Sequence, residues 1–145
     1  MQRFQYRFES LLNHRAARLN SEKAALSLLY GERAAIQQSI VVLERSSERA
    51  SRDILRRSVA SGSELTALAA HQAYVAGRVA QAKSRILECE RRINRQREQA
   101  VIAERAWKLL DRLREVDFEE WTYEASRQEE AAAGDLYLAT HFRRR

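Results

Sequence analysis

The chain has 145 residues, of which none is proline, four are glycine and one is cysteine. Turn-rich all-β and α/β domains need proline and glycine in their turns and loops, so the scarcity of both residues argues against these two fold classes. The single cysteine, Cys89, excludes an intramolecular disulfide and fits a reducing compartment. No stretch approaches the roughly 18 apolar residues of a membrane helix. The N-terminus also lacks the apolar core of a secretion signal. We therefore expect neither kind of segment.

Charge is abundant and unevenly distributed along the chain. Charged residues make up 32% of the sequence, and the formal net charge is +6. Residues 1–60 carry 11 basic and 6 acidic groups, whereas residues 111–145 carry 6 and 9. The acidic excess of that last part persists until Arg143, Arg144 and Arg145. Most of the basic residues are arginine, which forms bidentate pairs with carboxylates and phosphates more readily than lysine does. Acidic partners are therefore expected.

Two long heptad patterns account for most of the apolar residues. A ladder of alternating four- and three-residue steps from Phe8 has ten apolar members out of fifteen, and one from Leu65 has twelve out of fourteen. Heptads sustained over so many turns predict a coiled coil. The predicted seam of the first helix comprises Phe8, Leu12, Leu19, Leu26, Leu29, Ile36, Ile40, Leu43 and Ile54, and that of the second comprises Leu65, Leu68, Val75, Val79, Ile86, Cys89, Ile93, Trp107 and Leu110.

The one break between the ladders is the cluster Ser61-Gly62-Ser63. Ser63 is a suitable N-cap for a helix that starts at Glu64. A short loop between two long helices produces an antiparallel hairpin. We therefore predict one all-α coiled-coil domain over residues 1–145, with helix one at about 4–60, a loop at 61–63 and helix two at about 64–140. Helix two is the longer, so its residues beyond Trp121 should overhang the start of helix one.

The sequence offers no catalytic constellation, and we expect a protein that is not an enzyme. His14, His71 and His141 are scattered, and no HExxH motif, paired Cys/His spacing, glycine-rich phosphate loop or GxSxG is present. We predict no catalytic, cofactor-binding or metal-binding residues, and no cofactor. Cys89 falls on the predicted seam, where a small buried apolar role is expected.

The two termini carry a resemblance to a known family. Arg3, Phe4, Tyr6, Arg7 and Phe8 run into Leu11, Leu12 and Arg15 at one end. Near the other end come Ala106-Trp107-Lys108, Leu110, Leu113, Glu119-Glu120, Arg127, Glu129, Glu130 and Asp135. Together with the central break, this combination resembles the flagellar export protein FliJ family over essentially the whole chain. On that resemblance the alternation of Phe4, Tyr6 and Phe8 is coincidental, and Phe4 and Phe8 lie on the first helix.

The resemblance implies a coiled-coil stalk similar to that of rotary ATP synthases. Such a stalk inserts into the hexameric flagellar export ATPase, FliI, and promotes its assembly. It also contacts the export-gate protein FlhA and handles export chaperones. The implied location is the cytoplasm, at the inner membrane through the export apparatus. Stalk proteins of virulence type III secretion systems share this architecture, so they remain an alternative.

Two surfaces are candidates for these contacts. At the ATPase end we single out Arg3, Phe4, Tyr6 and Arg7. The alternative is that the aromatics close the coiled coil while the arginines pair with Asp117, Glu119 and Glu120. On the export-gate side, in the half nearer the loop, we single out His71, Tyr74, Arg78, Arg45 and Arg49. An off-seam tyrosine flanked by arginine suits a protein contact, although a charge stripe is also typical of a solvated face.

Two other functional classes remain open. A basic coiled coil that binds nucleic acid is suggested by the sequence pI near 10.0 and by arginines that recur along the helices. Glutamates interrupt those basic faces, however, and the acidic overhang would repel phosphates. The second class is a coiled-coil scaffold with no ATPase partner, and stimulation of an ATPase would distinguish it from a stalk.

Overall fold

A computed structural model describes residues 3–143 of the chain. Over these residues the protein is all-α, with two long helices packed together and no strand. Helix α1 (Glu9–Leu55) has 47 residues and helix α2 (Gly62–Phe142) has 81. The predicted all-α helical hairpin is confirmed. Arg144 and Arg145, which belong to the basic end of the sequence, lie outside the described residues.

The first helix starts later than predicted. Residues 3–6 are not helical, residues 7 and 8 form a turn, and the Glu9 amide donates a hydrogen bond of 3.3 Å to the Tyr6 carbonyl. The placement of Phe4 and Phe8 on the first helix is therefore wrong. The alternation of aromatic residues belongs to a non-helical segment, in which every second side chain can point to the same side.

The break between the helices is also longer than predicted, because α1 ends at Leu55 and α2 begins at Gly62. Ser61, not Ser63, caps α2. The Glu64 amide donates to the Ser61 hydroxyl at 3.2 Å, and the Ser61 amide donates to the Glu64 carboxylate at 3.0 Å. This reciprocal pair is a capping box, in which the N-cap side chain is worth about 1 kcal/mol. Arg57 closes the turn with a bond of 2.6 Å to Glu64.

The contacts divide the chain into two compact units. The loop unit is Ser21–Ala100, and the terminal unit joins the residues up to Asn20 with those from Val101 onward. In each unit a part of α1 lies against a part of α2. The buried core residues are Ile36, Val75, Ala82, Cys89 and Ile93 in the loop unit, and Tyr6, Leu12, Leu19 and Ala103 in the terminal unit.

Most predicted seam residues lie on the inner sides of the helices. Six are buried, namely Leu12, Leu19, Ile36, Val75, Cys89 and Ile93, and ten are half-buried, namely Leu26, Leu29, Ile40, Leu43, Ile54, Leu68, Val79, Ile86, Trp107 and Leu110. The prediction that Phe8 and Leu65 belong to the seam is wrong, because their side chains are 42% and 51% exposed. Phe8 precedes the first helical turn, and Leu65 lies in the first turn of α2, where α1 has already ended.

The loop unit places polar groups within its seam. The Gln96 amide donates to both the backbone carbonyl of Glu22, at 3.1 Å, and the Glu22 carboxylate. The Cys89 thiol lies 3.4 Å from the Leu29 carbonyl. A half-buried amide without a hydrogen-bond partner lowers the stability of the folded state. The Gln96–Glu22 contact therefore favours the register of the two helices that pairs them.

Candidate partner-binding surfaces

Three aromatic rings join the non-helical N-terminal segment to α2 within the terminal unit. The Phe4 ring meets Phe118 edge-on, with centroids 5.2 Å apart, and lies 5.8 Å from the Trp121 ring. Phe118 and Trp121 are stacked on the same helix at 5.9 Å. Such pairs contribute about 0.5–1.5 kcal/mol beyond the area they bury. We call Phe4, Phe118 and Trp121 the aromatic clamp, because they hold the start of the chain against α2.

Tyr6 is part of the core of the terminal unit. Its ring is 7% exposed, and its hydroxyl donates a bond of 3.1 Å to the Leu110 carbonyl of α2. Burial raises the pKa of the Tyr6 phenol above its usual value, and the Asp117 carboxylate raises it further. The placement of Tyr6 on the ATPase-contact surface is therefore corrected, because a buried and bonded side chain is inaccessible to a partner.

Arg3 and Arg7 remain exposed beside the aromatic clamp. The Arg7 guanidinium carbon lies 5.5 Å from the centre of the Phe8 ring, which itself meets Tyr6 edge-on at 5.9 Å. Between residues 3 and 143, the ion pairs do not include any from Arg3 or Arg7 to Asp117, Glu119 or Glu120. Of the four predicted contact residues, Phe4 and Tyr6 close the helix pair, and the two arginines face solvent.

Beyond the aromatic clamp, α2 continues as a helix whose side chains are exposed from Ser126 onward. We call residues 126–142 the α2 tail. Leu136, Tyr137 and Leu138 are 68%, 69% and 52% exposed, and Phe142 is 73% exposed. Three consecutive helical residues project about 100° apart, so exposed apolar side chains point in three directions at residues 136–138, whereas residues 127–130 of the tail are polar or charged. The acidic residues of this overhang are predicted from the sequence, whereas its apolar ones are not, although the run Leu-Tyr-Leu is a signal for them.

The residues predicted for the export-gate side lie in the loop unit and differ in their exposure to solvent. Tyr74 is 60% exposed, and Arg45, Arg49 and Arg78 also face solvent. His71 is half-buried, with its Nε2 atom 3.4 Å from the Ser46 hydroxyl. These residues are therefore accessible to different degrees, and Arg78 lines a groove.

That groove has a volume of about 580 Å³ and lies between the two helices of the loop unit. We call it the arginine groove; its lining residues are Ala35, Gln38, Ser39, Val42, Leu43, Arg78, Gln81, Ala82 and Arg85. Val42 is 56% exposed. The sequence singles out Arg78, but its meeting with Arg85, Gln38 and Val42 in one groove is not predicted, because the lateral face between two helices depends on their register.

Three further features concern metal ligands, the cysteine and membrane spans. Between residues 3 and 143, no group of three or more His, Cys, Asp or Glu side chains could hold a metal ion. Cys89 is 1% exposed and is one of the two most deeply buried side chains. Within the same range, neither helix has a stretch long and apolar enough to cross a membrane. The accessible features of the described residues include the exposed arginines, the α2 tail and the arginine groove.

Comparison of the chain with protein-family models, with curated proteins and with solved structures finds no match in any of the three.

Proposed function

We propose that this chain is a non-enzymatic coiled-coil stalk of a flagellar type III protein export apparatus, resembling the FliJ family. Its terminal unit would enter the ring of the hexameric export ATPase, FliI, and promote ring assembly and ATP hydrolysis. The residues of the loop unit would contact the export gate FlhA and export chaperones. The chain would act in the cytoplasm and reach the inner membrane through these partners. A stalk of a virulence secretion system would use the same geometry.

The observation that supports this proposal most directly is the composition of the α2 tail. A helix that is hydrophobic all round is normally enclosed, whereas a helix docked on one side needs only one apolar stripe. Leu136, Tyr137 and Leu138 point in three directions and are each more than half exposed. A ring that surrounds the tail would cover all three at once, and a flat partner surface would not.

The exposed arginines beside the aromatic clamp give a second, electrostatic argument. Arg3 and Arg7 face solvent, and arginine forms bidentate bonds with carboxylates of a partner. Because the clamp holds the N-terminal segment against α2, these cations are presented on a fixed support. Electrostatic complementarity of this kind mainly increases the rate of association and fixes orientation.

The first test is a titration of the chain into the export ATPase of the same organism, following hydrolysis rate and hexamer formation. The proposal expects a saturable rise in both, with saturation near one chain per ring. Leu136→Ser, Leu138→Ser and Phe142→Ser combined should weaken the effect by more than tenfold, since each removes apolar area from the enclosed helix.

The matched control replaces exposed leucines in the loop unit, Leu28→Ser with Leu87→Ser, which are 76% and 58% exposed. These changes match the two leucine substitutions of the tail, Leu136→Ser with Leu138→Ser, and should leave the stimulation intact. Arg3→Glu with Arg7→Glu should slow association. Stimulation that is insensitive to all tail changes, or no stimulation at all, would exclude insertion of this tail and favour a scaffold.

A further inference from the structure

On one side of the loop unit, arginines of α2 recur every seven residues. One of them pairs with a glutamate of α1, and the next two have no carboxylate at the matching positions of α1. Arg92 on α2 bonds to Glu32 on α1 with distances of 3.2 Å to both carboxylate oxygens. Arg85 and Arg78 lie one and two heptads before Arg92. Because the helices are antiparallel, the matching positions on α1 lie one and two heptads after Glu32, and they hold Ser39 and Ser46.

The two serines do not replace the missing carboxylate. The Ser39 hydroxyl donates to its own helix, at 2.6 Å from the Ile36 carbonyl, and Ser46 lies 3.4 Å from His71. Among the described residues, the ion pairs of the structure include Arg92 but neither Arg78 nor Arg85. Two arginines at positions built for an interhelical pair are thus left with their charge available to a partner.

Arg78 and Arg85 both line the arginine groove. Seven helical residues separate them, which corresponds to about 10 Å along α2. Between them the groove is lined by the Gln38 and Gln81 side chains and by Val42, which is 56% exposed. The surface therefore alternates cation, small apolar patch with amides, and cation.

We propose that the arginine groove binds an acidic helical segment of a partner protein. Its two carboxylates would lie about 10 Å apart, two helical turns, and each would pair with one arginine. A small apolar side chain between them would pack on Val42. The pattern fits a third helix laid along the hairpin, whose carboxylates take the places that Ser39 and Ser46 leave empty. Nucleic acid fits less well, because neutral and apolar groups separate the two cations where a phosphate track needs continuous positive charge.

The decisive variant supplies the missing carboxylates within the chain itself. Ser39→Glu with Ser46→Glu should pair with Arg85 and Arg78 and so compete with the partner. The probe is a fluorescein-labelled synthetic helix with glutamates seven residues apart and alanine and valine between them. Its affinity should fall at least about tenfold, while the thermal midpoint of the chain stays equal or rises. Ser39→Gln with Ser46→Gln has similar size without charge and should keep the affinity within about threefold.

A second pair of variants tests the arginines directly. Arg78→Gln with Arg85→Gln should reduce affinity for the same peptide about tenfold or more. Arg91→Gln, on the outer face of α2 and paired with Glu88 at 3.5 Å, should not. No binding of the peptide to the unmodified chain overturns the proposal, as does equal binding by the Ser→Glu variant. Tighter binding of single-stranded oligothymidylate through the same arginines also overturns it and assigns the groove to nucleic acid.

The proposed binding of an acidic helix goes beyond the proposed function and does not depend on it, because its test uses the chain and the peptide without any ATPase. Failure of the peptide test leaves insertion of the α2 tail in place. Failure of the ATPase titration leaves the groove in place.

Discussion

The loop unit and the terminal unit hold their helix pairs together by different means. In the loop unit, α1 and α2 meet through heptad residues such as Ile36, Cys89 and Ile93, and one polar contact, Gln96 with Glu22, lies among them. In the terminal unit, the helices also meet through heptad residues such as Leu12 and Ala103, but the aromatic clamp and Tyr6 attach the residues that precede α1. The difference shows that a heptad pattern describes a pair of helices only while both partners are helical.

The units also differ in what they leave uncovered. The loop unit exposes a groove with charge at defined positions, whereas the terminal unit ends in the α2 tail, whose apolar side chains have no cover within the described chain. An isolated helix of this length is marginal in water, because helix formation is cooperative and nucleation is costly. The tail is therefore expected to be the least stable part of the described helices when the chain is alone.

The largest effect is expected in the core of the loop unit. Ile93 is 2% exposed, so Ile93→Ala should lower the free energy of unfolding by about 2–4 kcal/mol through lost burial and a residual cavity. Denaturant unfolding followed by circular dichroism measures this. Leu87→Ala, at a position 58% exposed on the same helix, should cost less than about 0.5 kcal/mol. Equal costs for the two would contradict the assigned core.

The terminal unit should respond to loss of the aromatic clamp, but more locally. Phe4→Ala removes the edge-on contact with Phe118 and the contact with Trp121 and should cost about 1–2 kcal/mol. Hydrogen exchange should become faster around residues 110–121 and remain unchanged around Ile93. Phe8→Ala, at a position 42% exposed, is the aromatic control and should have a smaller effect. Uniformly faster exchange would mean that the two units do not open separately.

The polar contact in the loop unit should behave as a coupled pair. Glu22→Leu leaves the Gln96 amide with only the backbone carbonyl of residue 22 and should cost about 1 kcal/mol. Adding Gln96→Leu should recover that loss, because two apolar side chains then face each other in the seam. Chemical denaturation of the four proteins in the cycle gives the coupling energy. A coupling energy of zero would mean that the bond does not contribute to register.

Substitution of two glycines by alanine should stabilise one unit at a time, and so tests the difference between the loop unit and the terminal unit. A Cβ atom at Gly77 or Gly134 would have no heavy atom within 4 Å, so alanine fits at both positions and favours the helix by about 1 kcal/mol. Gly77→Ala, in the loop unit, should raise the midpoint of global unfolding. Gly134→Ala should slow hydrogen exchange in the α2 tail and leave that midpoint unchanged. A global shift from Gly134→Ala would show that the tail unfolds together with the remainder of the chain.

The smallest effect is a pH dependence specific to the terminal unit. Burial raises the pKa of the Tyr6 phenol in the folded state, so the folded state retains its proton after the unfolded state has begun to lose it. The corresponding stability is complete below the unfolded pKa of about 10 and decreases as pH rises through the folded pKa. Tyr6→Phe should flatten this part of a stability–pH profile. An identical profile in both proteins would exclude Tyr6 as its source.

The sequence was sufficient for the fold class, the central break and the middle of the seam, because heptad spacing reports directly on helices that pair. It was insufficient at the ends. Extending the ladder to Phe8 and Leu65 assumed that each helix continued as far as its partner, whereas the chain turns before Glu9 and α1 ends at Leu55. The cap was misplaced because both Ser61 and Ser63 are chemically suitable, and the hydrogen bond that the Glu64 amide donates to the Ser61 hydroxyl distinguishes them.

The candidate surfaces were harder to predict for a related reason. Spacing along one helix places Arg78 and Arg85 on one face, but the groove also needs Gln38 and Val42 from the other helix, and their position depends on register. Tyr6 was assigned to a contact surface because it stands in the N-terminal cluster of aromatic residues and arginines, whereas its hydroxyl reaches the Leu110 carbonyl 104 residues away. Pairing over such a distance is not visible in local patterns.

The enclosure of the α2 tail by a ring is the central claim, and one labelling experiment tests it most directly. An environment-sensitive dye is placed singly at residues 136, 137 and 138 in a Cys89→Ala background, and the export ATPase is added. Because the three positions face different directions around the helix, enclosure predicts a blue shift and loss of quencher access at all three. A control dye at residue 87 should not respond. Protection at one position only, or at none while hydrolysis is stimulated, would contradict enclosure and assign the tail to a one-sided contact or to solvent.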